Sequence, residues 1–330
     1  MATLAPNPTL NLWGVLAGSR RIINAHSRHF LALSVFFLLP LSFSLFIYPT
    51  FQTTLSQSQT KPTRLLLRNP LSSSTSESYF LAFPFIYSLF VSFLSLCAVA
   101  SITHSTYHGF FGRPVKLASA MKSLLRSFVP LVITTICSLL ALSLVCALFG
   151  LLVILVARGA ENLGFAIDYD SNYFRWSCIV IAVIAILVLV HLEVKWALAS
   201  VIVVTESKWG FEPLWRSAYL VKGMRTVSLS LILYFGTTIG FFIWCLSGPN
   251  PGSFSDMWKC LLFIIQTVLG SSVVTGLMLM NVAARTVLYL YCKALHGELA
   301  WEIAEEFAHE YVSLPFDDAK IPHVVFVAQA

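Results

Sequence analysis

Six long apolar blocks run through the 330 residues of this chain. A helix needs about 20 apolar residues to cross the hydrocarbon core of a bilayer. No water reaches backbone N–H and C=O groups there, so such blocks fold as spanning helices that satisfy their own hydrogen bonds. The blocks lie at Phe30–Tyr48, Phe80–Thr103, Phe128–Ala157, Ser177–Val204, Val227–Leu246 and Lys259–Lys293. The last contains Gln266, Asn281 and Arg285, so it is expected to outrun the bilayer. Charged residues make up only 11% of the chain, against roughly 25% in soluble domains. That is too little polar surface to cover a soluble core of this size. The expected fold class is an all-α, polytopic membrane protein. Residues 1–29 form an N-terminal segment with a surface helix, 30–293 the membrane domain, and 294–330 an acidic helix and tail.

Lysine and arginine give the expected orientation. With both termini cytoplasmic, 15 of the 21 basic residues fall on the cytoplasmic side. The first outer loop, about residues 49–79, is rich in Ser, Thr and Gln and is expected to be flexible. About 29 fairly polar residues precede the first block, unlike a secretory signal peptide, so the first span is expected to stay in the mature protein. The net charge of +6 is scattered beside spans, where anionic lipid headgroups are its natural partner. It does not gather in a groove with interleaved aromatics, so nucleic acid is not an expected partner.

Three segments share a plan: Gly18-Ser19-Arg20-Arg21, Ala118-Ser119-Ala120-Met121-Lys122 and Arg216-Ser217-Ala218 through Lys222. Their serines fall 100 and 98 residues apart, and each segment precedes an odd-numbered span. The spacing predicts three pseudo-repeats, each an interfacial helix followed by two spans.

The best-defined motif runs from Val201 through Thr205-Glu206 to Glu212-Pro213-Leu214-Trp215-Arg216-Ser217. Pro213 and Glu212 suit the first turn of a helix, and Gly223 suits its end. Leu214, Ala218 and Val221 share a face, with Trp209, Trp215 and Tyr219 at headgroup depth. Two readings stand. The helix is a lipid- or partner-binding face on which Arg216, Ser217, Lys222 and Arg225 contact headgroups or a partner, or it is a structural elbow for the next span.

Ionisable residues at membrane depth are costly, so Glu193 and Arg285 draw attention. Both lie near the cytoplasmic boundary, and a Glu193–Arg285 or Glu206–Arg285 pair would join two helices. The alternative is a transport or proton-relay site. Gly236-Thr237-Thr238-Ile239-Gly240 in span five, and Ser272 and Gly276 in span six, are expected to let helices pack closely, within the chain or in a dimer.

His104-x3-His108 has the spacing of a metal-binding histidine box, but no His-His pair completes a di-iron set. The pair is expected at the cytoplasmic mouth of span two, beside Tyr107. No CxxC, Walker loop, GxSxG or dinucleotide fingerprint is present, so neither metal nor other cofactor is expected. A Cys245–Cys260 disulfide and free thiols are the two alternatives for the last outer loop. Glu298, Glu302, Glu305, Glu306 and Glu310 alternate with apolar residues in the pattern of an acidic amphipathic helix, expected to be a solvated face that could dock on the basic loops.

At these residues the chain resembles known families. Gly14-Val15-Leu16 through Phe30, Pro40-Leu41-Ser42-Phe43, and Tyr107-His108-Gly109 with Gly112-Arg113-Pro114-Val115 resemble a plant family of uncharacterised six-span membrane proteins. Val203-Val204-Thr205-Glu206 through Val221-Lys222-Gly223 is similar to the membrane domain accompanying bacterial glycerophosphodiester phosphodiesterases. The resemblance implies a six-span fold and no chemistry, because the phosphodiesterase activity belongs to a separate soluble domain. The expected function is a non-enzymatic scaffold or accessory subunit of an endomembrane or the plasma membrane. It would work with lipids and with protein partners or a second copy. The alternative is a transporter of a small solute or lipid, with a central cavity lined by Gln266 or by Thr135 and Ser138.

Overall fold

A computed structural model describes residues 11–60, 71–113, 117–162, 172–246, 257–301 and 303–304. Every described element is a helix. They are α1 (Leu12–Ala25), α2 (Ser27–Leu33), α3 (Leu39–Thr60), α4 (Leu71–Phe110), α5 (Leu117–Asn162), α6 (Asn172–Trp196), α7 (Ala199–Glu206), α8 (Glu212–Leu220), α9 (Arg225–Leu246) and α10 (Met257–Leu295). A π-helical stretch, Ser34–Leu38, joins α2 to α3 into the first span. Six helices are long and apolar enough to cross a membrane. The protein is therefore a multi-pass helical membrane protein. The 22 residues of α9 rise about 33 Å, a close match to a hydrocarbon core of about 30 Å.

Helix continues beyond the expected span ends. Residues through Thr60 and from Leu71 are helical, so much of the segment expected to be a flexible loop is regular; 61–70 lie outside the described residues. The second repeat also differs from the other two. Its basic segment and its span form one helix of 46 residues, α5, whereas α1 and α8 are separate from the spans they precede.

The first, second and sixth spans and the end of the fourth form the core, with Phe30, Leu33, Phe37, Leu38 and Leu41 buried in the first. Buried residues run along α4 from Leu94 to Thr106, along α7 from Ala199 to Val204, and along α10 from Val282 to Lys293. These three helices pack on one another, the first span packs on α4 and α10, and the third and fifth spans flank them. The core sits at the end of the bundle that carries α1 and α8. At the other end, Leu151, Ile154, Ile179 and Ile186 of α5 and α6 are exposed, as suits contact with acyl chains.

The entry segments tie this core together. Ser19 of α1 approaches Sδ of Met280 on α10 at 3.6 Å. Ser119 of α5 bonds His104 of α4 at 3.1 Å. Ser217 of α8 bonds the α6–α7 junction. Each unit's serine thus meets the second span of the unit before it, and the first unit's meets the last.

Glycine enables two of these joins. A Cβ on Gly18 would lie 3.1 Å from the Tyr291 hydroxyl. Gly223, at φ 98°, turns the chain from α8 into α9, where a Cβ would meet Leu295 at 3.1 Å.

Candidate functional site

A polar cleft lies where α4, α5 and α7 converge, at the end that carries α1 and α8. It encloses about 450 Å³. The last turns of α4 supply His104, Tyr107 and His108; the first turns of α5 supply Ser119, Lys122, Ser123 and Arg126; Thr205 and Ser207 close it. The His104 and His108 rings are 4.3 Å apart and steeply inclined, as the i, i+4 spacing dictates. His104 Nε2 lies 3.1 Å from Ser119 Oγ, which fixes the ring against α5. No carboxylate lines the cleft. Lys122 and Arg126 are exposed, and no ion pair involves them among the described residues. Two cations, two imidazoles and several hydroxyls therefore face one space.

The cleft adjoins a second space of about 410 Å³, with Arg126, Ser127 and Ser207 common to both. This space is lined by Val129, Pro130, Ile133, Val203 and Trp209, so a basic mouth leads into an apolar slot. Val129 and Trp209 are largely exposed. The loop that shapes it is held by Gly210 N, which donates to Thr134 Oγ1 at 3.2 Å. Ser207 adopts the left-handed region, at φ 55°, and directs the chain from α7 around the slot.

Arg216 is the centre of a different arrangement. It donates to both oxygens of Glu298, through Nη1 at 3.1 Å and through Nη2. Its Nε lies 3.4 Å from Glu206 Oε2, while Glu206 Oε1 accepts from the Tyr289 hydroxyl at 2.9 Å. Burial alone would lower the Arg216 pKa. The bonds to Glu298 and the charges of Glu206 and Glu298 outweigh it and hold the pKa above its ordinary value. The guanidinium expected to contact headgroups is thus occupied by two carboxylates. It clamps α8 to α7, to α10 and to the helical turn that begins at Glu298. The remaining acidic positions, Glu302, Glu305, Glu306 and Glu310, lie outside the described residues.

Ser217 is fully buried and stitches a break in span four. The helix is interrupted at Ala197 and Leu198, which frees a carbonyl and an amide. Ser217 Oγ donates to Lys195 O at 2.7 Å and accepts from Leu198 N at 3.2 Å. Its place is inside the fold and not on a headgroup face. Ser217→Ala leaves both backbone groups unpaired and is expected to cost about 1–3 kcal/mol. The expected readout is a lower thermal midpoint in detergent. Ser217→Thr keeps the hydroxyl and should lose less.

Lys222 and Arg225 are exposed, with Lys222 Nζ 6.0 Å from the Tyr219 ring. Glu193 is exposed, and no carboxylate among the described residues lies within 4 Å of Arg285, whose Nε donates to Asn281 at 3.2 Å. Neither proposed partner of Arg285 contacts it; Glu206 is held by Arg216 and Tyr289. The small residues of spans five and six do not make the expected close contacts within the chain. Gly236, Gly240 and Gly276 have no neighbour within 4 Å of an added Cβ, and Ser272 is exposed. Gly270 makes that approach instead, with Leu246 and Phe46 each at 3.0 Å from its would-be Cβ. Cys245 is a free thiol.

Six apolar helices in three linked units, with a basic cleft at one end, define a polytopic membrane protein whose ionisable side chains gather at one face. The chain belongs to the family described as a domain of unknown function, DUF8558, whose model matches residues 8–323. No curated protein and no solved structure matches it.

Proposed function

We propose that the protein is a non-enzymatic membrane scaffold or accessory subunit. In this reading it holds anionic phospholipid in the cleft between α4, α5 and α7 and presents α1 and α8 as interfacial helices to protein partners at the cytoplasmic face. The observation that carries the reading is the carboxylate-free cleft of Lys122, Arg126, His104 and His108 opening on an apolar slot. A phosphate at the mouth would meet cations and hydroxyls, and its acyl chain would follow Val129 and Ile133 toward lipid. Exposed Trp13, Trp209, Trp215 and Trp301 suit headgroup depth at that end of the bundle.

A transport path has less support. Gln266 donates to Leu246 O at 2.7 Å, Thr135 to Leu131 O at 2.8 Å and Ser138 to Thr135 O at 2.8 Å. Those groups are spent on backbone and line none of the cavities described here. The sequence resemblance to six-span plant proteins, and more distantly to the membrane domain beside bacterial phosphodiesterases, is compatible with the same reading.

The test is titration of the full-length protein in neutral detergent with dioctanoyl phosphatidic acid or dioctanoyl phosphatidylcholine. The acid should raise the thermal midpoint and the choline lipid should not. Each basic residue near a lipid surface contributes about 1 kcal/mol, so Lys122→Gln with Arg126→Gln should weaken the acid by about thirtyfold. Added salt should weaken it as well. Equal response to both lipids, or an unchanged response in the double variant, would overturn the reading.

A further inference from the structure

A separate cavity of about 240 Å³ lies within the bundle, among the first span, α4, α7, α9 and α10. It shares no residue with the headgroup cleft. Arg285, Asn281 and Thr103 are among its polar lining, and Arg285 is its single ionisable residue.

The depth of the cavity follows from helix register. Gln266 bonds Leu246 O, so antiparallel α9 and α10 are level there. Counting back along α9 to Arg225 reaches the level of about residue 287 on α10. Arg285 therefore sits inside the bundle, where hydrocarbon gives way to headgroups. A guanidinium in such a place calls for a counter-charge and for acceptors. Among the described residues it has one acceptor, Asn281 Oδ1 at 3.2 Å from Nε. Glu193 acts on it electrostatically from beyond ion-pair distance and is itself exposed. Thr103 adds a second, independent observation beside the same space. Thr103 is fully buried, lines the cavity, and its hydroxyl has no hydrogen-bond partner.

We infer that this cavity binds a monoanionic carboxylate carrying a short apolar chain. One cation with no carboxylate within ion-pair distance among the described residues matches one negative charge, and a guanidinium takes a carboxylate in bidentate fashion. The unpartnered Thr103 hydroxyl, enclosed beside the cavity, donates to the same head once its side chain turns toward it. Leu38, Leu41 and Met278 line the rest of the space and receive the chain. The volume is below the roughly 300–1,000 Å³ of ordinary small-molecule pockets, which favours a single short chain over a two-chain lipid.

The experiment is equilibrium dialysis of radiolabelled decanoate against the full-length protein in neutral detergent. The expected result is saturable binding of about one decanoate per chain, not displaced by decanol or by acetate at the same concentration. Arg285→Gln should weaken binding by at least about tenfold. Thr103→Val, which keeps the shape of the side chain, should weaken it severalfold with little change in thermal midpoint, so the inference stays testable if the arginine variant fails to fold. Absence of saturable binding, or binding unchanged in both variants, would overturn it. Displacement by decanol as effective as by unlabelled decanoate would overturn the role of the charge. Displacement by acetate alone would replace the amphiphile with a free anion. Preferential displacement by dioctanoyl phosphatidylglycerol would assign the site to a lipid phosphodiester and overturn the carboxylate.

Discussion

Arg216→Met destabilises the protein by about 2–3 kcal/mol. Removing one partner of a buried pair costs about 3–5 kcal/mol, because the remaining charge keeps its desolvation penalty and loses its compensation. The lower figure applies here because the side chains are 24% exposed at Arg216, 14% at Glu206 and 30% at Glu298. Glu206 is then left with the Tyr289 hydroxyl alone. The thermal midpoint in neutral detergent reads the loss. Adding Glu206→Gln to Arg216→Met removes the stranded charge and should recover part of the stability, which makes the pair a double-mutant test. A simple loss of surface charge would show no such recovery. The result separates a structural clamp from the headgroup contact that the sequence suggests for Arg216.

Ala284→Leu should be about as severe, at about 3 kcal/mol. Ala284 is fully buried in the core cluster that α4, α7 and α10 share, beside fully buried Val287 and Leu288. Overpacking a close-packed interior typically costs 1–3 kcal/mol. Three added carbons between spanning helices belong at the upper end, because small residues are what permit backbones to approach in lipid. The expected measurement is a lower folded yield and an early thermal transition, with Ala284→Gly milder. Gly236→Leu is the control. Its site has open space, and the change should leave the isolated chain's stability nearly unaltered.

That contrast shows what the sequence could and could not specify. Six blocks of length and apolarity suffice to number the spans, and the described helices overlap all six. Glu212, Pro213 and Gly223 also foretell α8, which begins at Glu212 and is followed by a glycine at positive φ. Which side of a span faces protein is another matter. A helix apolar all round carries no amphipathic signal, so Gly236 and Gly240 read the same whether they face a neighbour or lipid. The break at Ala197 and Leu198 is hidden for a related reason. The run Val201-Ile202-Val203-Val204 continues an apolar block, and the serine that repairs the break lies 19 residues beyond Leu198.

The candidate sites depend on longer-range pairings still. Glu298 reads as one acid of a solvated series, and only the fold sets it against Arg216, 82 residues earlier. Lys122 and Arg126 are legible as orientation signals beside a span. His104-x3-His108 is legible as a pair at a helix end. Their convergence requires α4 and α5 to pack as neighbours with Ser119 against His104. Thr103 and Arg285 are 182 residues apart in sequence, and the cavity that they share is a property of the packed bundle.

The serine joins between units have a consequence for assembly. A contact from each unit to the one before it is heterologous, and such contacts either close into a ring or continue as an open chain. Here three steps bring the first unit back onto the third within one polypeptide, so no docking surface of this kind is left over. A chain cut to two units would carry one donor face and one acceptor face with nothing to fill either. It could satisfy them only with further copies, so a truncation made to simplify the protein would convert a chain closed on itself into one that polymerises.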